Sequence, residues 1–354
     1  MCIHCKNIYQ YNDNFTELRN SDTELISGNP EGAQNPLVSI IITAYKRKDY
    51  IHEAINSAIN QKNIDFDYEI IVLYDDPDAV LDDLGDYQHI KNIYFYRNFK
   101  NLGLYNNTNL AAKIARGRYI AFLHDDDILY PEYLSEVHKF LVNKKHESKC
   151  VLVNRDVTGL SVQKPAYKKI LKCVLGVIFF PFFLFRLIFR KSHKKITLRE
   201  GLTYLLSNIY KAPSCGTLFE KEAFFNSGGF NQNFWPVSDY YFFLKFNYNN
   251  PVYMLRKKLA CYRWFDNLSQ NKEVQLSGFE HYTVFLKSEQ PVNFINSYYK
   301  LFHTEVLYSK FLMINKEHRN EIMVKYPELK YPNRIKWLFF KSYNKFFHFF
   351  HNLI

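Results

Sequence analysis

The sequence predicts an α/β fold with a mainly parallel central sheet and flanking helices. Three observations carry this expectation. Short β-branched runs recur along the first third of the chain, helix-patterned stretches separate them, and the runs end in polar or acidic residues. Residues 1–35, with "NSDTELISGNPEGAQNP", are polar, Gly/Pro-bearing and aperiodic, and read as a flexible leader. "PLVSIIITAY" (36–45) is the kind of apolar run that forms a strand buried on both faces. In "DYIHEAINSAINQ", Ile51, Ala54, Ile55, Ala58 and Ile59 fall at helical spacing. "YEIIVLYDDPD" (68–78) reads as a second strand and "NIYFYRN" (92–98) as a third. "NLAAKIARG" reads as a helix closed by Gly117, and "RYIAFL" (118–123) as a fourth strand. Strand, helix and strand at these intervals build a parallel sheet.

Ligands of open α/β sheets sit beyond the carboxyl ends of the strands. There the first strand offers Thr43 and Tyr45, the second Asp75 and Asp76, and the fourth Asp125, Asp126 and Asp127. The last three also precede "PEYLSEVHKFL", where a helix N-cap would favour Asp. Capping does not require acid at two separate strand ends, so a shared cationic ligand is the better account. One or two carboxylates, with water and phosphate oxygens completing the shell, are how proteins hold Mg²⁺ or Mn²⁺ beside a nucleotide. Neither GxxxxGK[ST] nor GxGxxG occurs, so diphosphate would be neutralised through metal, which suits a sugar-nucleotide donor.

The net charge of +11, from 46 Lys+Arg against 35 Asp+Glu, points to an anionic partner. Nucleic acid is not the partner expected, because no zinc or RNA-binding signature accompanies the charge. Cys2 and Cys5 in "CIHC" have no second pair at finger spacing. No secretory signal precedes the remaining cysteines, which predicts a reduced, cytoplasmic protein.

Four stretches in order resemble the family 2 glycosyltransferases: "VSIIITAYKRKDYIHEAINSAINQ", "YEIIVLYDDP", "NLGLYNNTNLAAKIARGRYIAFLHDDDILYPEYL" and "GTLFEKEAFFNSGGFNQNFWPVSDYYFFLKF", within residues 36–246. The resemblance implies the GT-A fold and an inverting sugar transfer in bacterial surface-polysaccharide synthesis. It implies that Thr43 and Tyr45 line the nucleotide pocket and that Asp75 receives the base, with Asp76 the alternative. It further implies Asp125 and Asp126 as the metal motif, Asp126 ligating directly and Asp125 nearer the ribose or a water, while Asp127 does either or caps the next helix. The general base that deprotonates the acceptor hydroxyl follows a Gly-Gly-Phe turn, here Gly228-Gly229-Phe230, which selects Asp239. Asp239 also suits an N-cap, and Trp235 suits either sugar stacking or core packing. "CYRWFDNLSQN" (261–271) resembles the family's post-catalytic loop, which implies that Arg263 and Ser269 reach the diphosphate, with a surface loop as the alternative. Three positions depart from the family pattern: His124, itself available as a ligand, stands where an acid is usual, Thr108 replaces an Arg although Asn109 is retained, and Ser238 replaces the acid before the base.

On this basis residues 36–265 form the catalytic domain, with a basic and apolar insert at about 160–200, and residues 266–354 form a helical C-terminal region. The insert's apolar core, residues 173–185, is short of the ~20 residues a spanning helix needs. Its Lys/Arg flanks suit a segment in the membrane interface, with a core hairpin or a tilted span as alternatives. "RIKWLFFKSYNKFFHFFHNLI" (334–354) sets Ile335, Leu338, Phe339, Ser342, Tyr343, Phe346, Phe350 and Leu353 against Lys341, Lys345 and His348. That basic amphipathic pattern suits an anionic membrane surface, with docking on protein as the alternative. The function expected is transfer from a UDP- or dTDP-sugar, with Mn²⁺ or Mg²⁺, to a glycan or lipid-linked glycan at the inner face of the plasma membrane. An inactive sugar-nucleotide-binding scaffold and a sugar nucleotidyltransferase are the rival classes. The intact Asp126 and Asp239 disfavour the first, and "ITAYKRKDY", which has no glycine, disfavours the second.

Overall fold

The computed structural model describes residues 13–29, 35–46, 49–79, 87, 89–158, 192–196, 215–264, 271–287 and 304–351. Cys2, Cys5, Ser269 and the apolar insert of residues 173–185 lie outside these residues. The sheet is assembled from β1 (Thr23–Ser27), β2 (Val38–Ala44), β3 (Tyr68–Tyr74), β4 (Ile93–Asn98), β5 (Tyr119–His124), β6 (Ile128–Leu129), β7 (Cys150–Thr158), β8 (His193–Ile196), β9 (Thr217–Glu220) and β10 (Val252–Arg263). Their order is β1-β4-β3-β2-β5-β9-β7-β10-β6, with β8 also paired to β10. The four strands expected from sequence, β2 to β5, run parallel in one block. Antiparallel β9 joins them to the parallel pair β7 and β10.

Residues of β2 and β3 alternate between two cores. Ile40, Ile42 and Val72 pack with Ile51, Ala54 and Ile55 of α1 (Ile51–Ile59) and with Leu134 and Val137 of α3 (Tyr133–Asn143). Ile41, Ile71 and Leu73 face the other side, against Leu110, Ala111 and Ala112 of α2 (Leu104–Ile114). Burying each of these side chains contributes about 1.5–3 kcal/mol, which is why the β-branched runs become central strands. On the same side lie α4 (Lys221–Asn226) and α5 (Ser238–Asn249), whose Phe224, Phe242 and Phe246 join Phe122, Phe219 and Phe230 in an aromatic cluster.

Several expectations need correction. The stretch expected as a flexible leader is ordered within residues 13–29: β1 pairs antiparallel with β4, and Arg97 bonds Glu24 across the pair. Phe15 and Leu18 are buried in the α2-side core. A polar edge strand is held by backbone pairing, which leaves no hydrophobic period to read. Gly117 does not close α2, which ends with its cap at Ala115. Gly117 is small for another reason: a Cβ there would stand 2.6 Å from the backbone nitrogen of Ser39. The basic downstream flank of the insert is a strand, with His193 opposite Leu255 and Ile196 opposite Val252.

Beyond the sheet, α6 (Lys272–Lys287), a helical stretch at residues 304–311, α7 (Arg319–Lys325) and α8 (Arg334–His351) build a third core. Its members include Phe279, Leu307, Phe311, Ile322 and Phe340, with Tyr241 of α5 joining it to the sheet domain. Among the described residues no helix is long and apolar enough to cross a membrane.

Candidate active site

The carboxyl ends of β2, β3 and β5 form one rim. Thr43 is the register partner of both Leu73 and His124, and Asp75 donates its backbone N–H to the carbonyl of Ala44 at 2.8 Å. Thr43 is buried, whereas Tyr45 is exposed with the Lys46 ammonium over its ring. Asp75 is buried, and both its oxygens already accept: Oδ1 from Asn98 Nδ2 (2.9 Å) and Leu102 N (2.7 Å), Oδ2 from Gly103 N (2.9 Å). Burial nevertheless raises its pKa, these bonds opposing the shift. Asp75 therefore anchors the loop from β4 to α2, while Asp76 beside it is more exposed and accepts from the backbone of Asp78.

The tight turn after β5, closed by Asp127 N–H donating to His124 O at 3.2 Å, carries the acidic triplet. Asp125 is half-buried, and Asp126 and Asp127 are buried. None of them caps α3, whose N-cap is Glu132, because β6 intervenes and pairs with Ala260 and Cys261 of β10. Asp127 Oδ1 accepts from Arg263 N at 3.0 Å, while Oδ2 has no hydrogen-bond partner. Burial, and then the charge of Asp126, push the Asp127 carboxyl up to about 7. Arg263 spans this turn: Nε donates to Asp126 O (3.0 Å), Nη2 pairs with Glu53 (2.7 Å), and the guanidinium lies 3.9 Å from the centre of the Tyr50 ring.

Asp239 enters from α5. It occupies the second helical position, and the N-cap is Val237, so its carboxylate is not a cap. The Tyr105 hydroxyl donates to Pro236 O (2.7 Å) and lies 3.3 Å from Asp239 Oδ1. Burial pushes the Asp239 carboxyl up to about 6, against the opposing Tyr240 backbone bond and Arg155 charge. The Gly-Gly-Phe turn before it is clamped by Asn109, whose Oδ1 accepts from Phe230 N (3.0 Å) and whose Nδ2 donates to Phe230 O (2.7 Å). Asn14 donates to Gly228 O through its backbone (3.1 Å) and its side chain (2.8 Å). Gly229 has φ +67°, and a Cβ there would stand 2.5 Å from the Phe15 ring, so glycine is needed for both conformation and close approach.

The departures from the family pattern also find places. Thr108 turns onto its own helix, donating to Leu104 O at 2.7 Å. Ser238 Oγ accepts from Asn231 N at 2.7 Å, tying the start of α5 to the preceding loop. Trp235 is partly buried against the α2-side core, which favours its core role.

Two residues of the site went unread in the sequence. Buried Arg155 of β7 lies 5.3 Å from the centre of the Tyr262 ring, and its charge lowers the pKa values of Asp127, Asp239 and Tyr262. Tyr262 has its own pKa raised by burial and by the fields of Asp127, Asp126 and Asp239. The charges of Arg155, Asp126, Asp127 and Asp239 all act on Tyr262. The only signal for Arg155 was a charge inside the apolar run "CVLVNRDVT".

Among the described residues no group of three or more His, Cys, Asp and Glu side chains forms a metal cage. Adjacent buried carboxylates and the orphaned Asp127 Oδ2 instead fit a hard cation held by few protein oxygens and completed by phosphate.

Residues 39–197 match the family model described as Glycosyl transferase family 2. An uncharacterized glycosyltransferase of Methanocaldococcus jannaschii is 37% identical over 31% of this chain and 39% of its own length. The Escherichia coli protein named UDP-Glc:alpha-D-GlcNAc-diphosphoundecaprenol beta-1,3-glucosyltransferase WfaP is 40% identical over 31% of this chain and 43% of its own. The chain thus spans less than half the length of these curated relatives. The crystal structure of Staphylococcus aureus TarS 1-349 in complex with UDP-GlcNAc superposes with a TM-score of 0.55 at 18% identity, over 85% of this chain and 78% of that one.

Proposed function

We propose that this chain, whose residues 39–197 match the Glycosyl transferase family 2 model and whose fold is the GT-A fold of TarS, is a metal-dependent, inverting glycosyltransferase of bacterial polysaccharide synthesis. It takes a nucleoside-diphosphate-sugar, a UDP-sugar by analogy with TarS, which was crystallised with UDP-GlcNAc and with UDP. The observation that carries this reading is the convergence of Asp126, Asp127 and Asp239 on one tyrosine, Tyr262, which feels all three charges. The candidate cation carboxylates and the candidate base therefore lie within electrostatic reach of one side chain, as transfer from a diphosphate to a hydroxyl requires.

Thr43 and Tyr45 would line the nucleotide pocket, and Asp75 or the more exposed Asp76 would take the base. Asp126 would hold a divalent cation, Mn²⁺ or Mg²⁺, with Asp125 or Asp127 assisting, and the bound cation would neutralise the departing diphosphate. Arg263, fixed across the acidic turn, would add positive charge on the phosphate side. Asp239 would accept the acceptor's hydroxyl proton as that oxygen bonds the anomeric carbon and the bond from that carbon to phosphate oxygen breaks on the opposite face. A carboxyl near pH 6 is basic enough to take the proton and still ionised at neutral pH. Tyr105 would orient it through the bond at 3.3 Å.

The acceptor would be a glycan or lipid-linked glycan, the class that the name of WfaP specifies, and the protein would work as a peripheral enzyme on the cytoplasmic face of the plasma membrane. The test is a panel of UDP-, dTDP- and GDP-sugars scored for thermal stabilisation with Mn²⁺, followed by donor hydrolysis. Stabilisation and turnover with one donor support transfer, stabilisation without turnover favours the inactive scaffold, and no response to any donor overturns the assignment.

A further inference from the structure

Helix α8 is apolar on two opposite sides. One side, Trp337, Phe340 and Tyr343, packs into the third core, with Phe340 fully buried. At 100° per residue the stripe of Ile335, Leu338, Phe339 and Ser342 lies opposite. Ile335 is 82% exposed, Leu338 56% and Phe339 63%. Exposed Arg334, Lys336 and Lys341 flank that stripe, and the sequence from residue 329 to 354 contains no acid. The Lys341 ammonium sits over the Trp337 ring, so its charge is held at the border between the two sides. Tyr331, just before the helix, is 88% exposed.

The third core covers one side of this helix and leaves the apolar side chains of the other exposed to solvent. A second copy of this helix is a poor occupant for the outer side, since pairing would bring like cations together with no acid on the helix to meet them. We propose that the outer stripe of α8, Ile335, Leu338 and Phe339 with Arg334, Lys336 and Lys341, is a docking surface for an anionic lipid bilayer. The apolar side chains enter the headgroup boundary and the flanking cations meet lipid phosphates, while Phe340 and Trp337 tie the surface to the rest of the chain. The proposal rests on the peripheral-enzyme reading of the function and deepens it, committing to α8 itself rather than to the insert.

The test is co-sedimentation of the whole chain with vesicles of phosphatidylcholine alone or mixed with phosphatidylglycerol, without donor or acceptor. Loss of the transferase assignment would therefore leave the result untouched. Wild type is expected to sediment with the mixed vesicles and far less with the neutral ones. Combined Ile335→Ser, Leu338→Ser and Phe339→Ser should reduce binding at least ~10-fold, and each of Lys336→Gln and Lys341→Gln about fivefold. The control Val142→Ser, at an exposed position of α3, should change nothing. All these positions are exposed, so melting temperatures should hold and certify folding. Equal sedimentation of wild type and the triple variant would overturn the proposal, as would no binding to mixed vesicles. A dimer seen by analytical ultracentrifugation and dissolved by the triple variant would reassign the stripe to self-association.

Discussion

Replacing Asp239 by Asn should slow transfer and stabilise the protein at once. The carboxyl rises from 3.8 to about 6 because folding desolvates it. Each unit is worth roughly 1.4 kcal/mol, so a fully desolvated group would lose about 3 kcal/mol of folding free energy when ionised. Asp239 is only half-buried, which brings the expectation to about 1–3 kcal/mol. The sign follows from proton linkage. The folded state holds the proton more tightly than the unfolded chain, so wild-type stability falls as pH rises from about 4 to about 6 and stays lower above that. Asn keeps an oxygen to accept from the Tyr240 backbone but has no charge to desolvate. In chemical denaturation the variant should therefore be more stable than wild type at pH 8, with the gap closing towards pH 4. Transfer should drop by ~10²–10⁴, the usual contribution of a positioned base, and wild-type kcat/KM should fall as pH drops through about 6, an acid limb that the variant lacks. Stability curves that coincide at pH 8 would refute the desolvated carboxylate, and a variant turning over at the wild-type rate would refute the base.

Three further outcomes test the surrounding structure. Asp126→Ala should abolish Mn²⁺-dependent UDP binding in calorimetry while the melting temperature holds, since it removes one of two adjacent buried acids. Asn109→Ala breaks both bonds to Phe230 and should destabilise by about 1–3 kcal/mol in urea, lowering kcat more than it raises KM. Phe15→Ala empties the space over Gly229 and should destabilise by about 3–5 kcal/mol, with faster amide exchange across residues 228–239.

How much of this was legible depended on burial pattern and sequence distance. Strands β2 to β5 could be read because residues such as Ile40, Ile41 and Ile42 are all buried, each facing one of two cores. Strand β10 could not, because "VYMLRKKLACYR" places exposed Lys257 and Lys258 in its middle, where neighbours in the ladder rather than hydrophobic period decide the pairing. The acidic triplet announced itself through like charges in a row. Tyr105 gave no such signal: its bond to Asp239 crosses 134 positions, and a tyrosine in "LYNNTNL" looks like any core aromatic. Helix α8 misled in another way, since the period marked an apolar side but not which apolar residues the protein itself would cover.

Helix α2 links the carboxyl end of β3 to the turn before Asp239. Asn107 Oδ1 and Asp75 Oδ1 accept the two protons of a single amide, that of Asn98, while Tyr105 and Asn109 reach Asp239 and the turn before it. If Asp75 receives the base and Asp239 the acceptor's proton, the spacing between the two would be set by one helix rather than by two loops. A graft that swaps the acceptor-side segment 215–264 for that of another enzyme would inherit this ruler only if the helix travels with it. The smallest exchangeable cassette thus begins at Gly103, not at the start of β9.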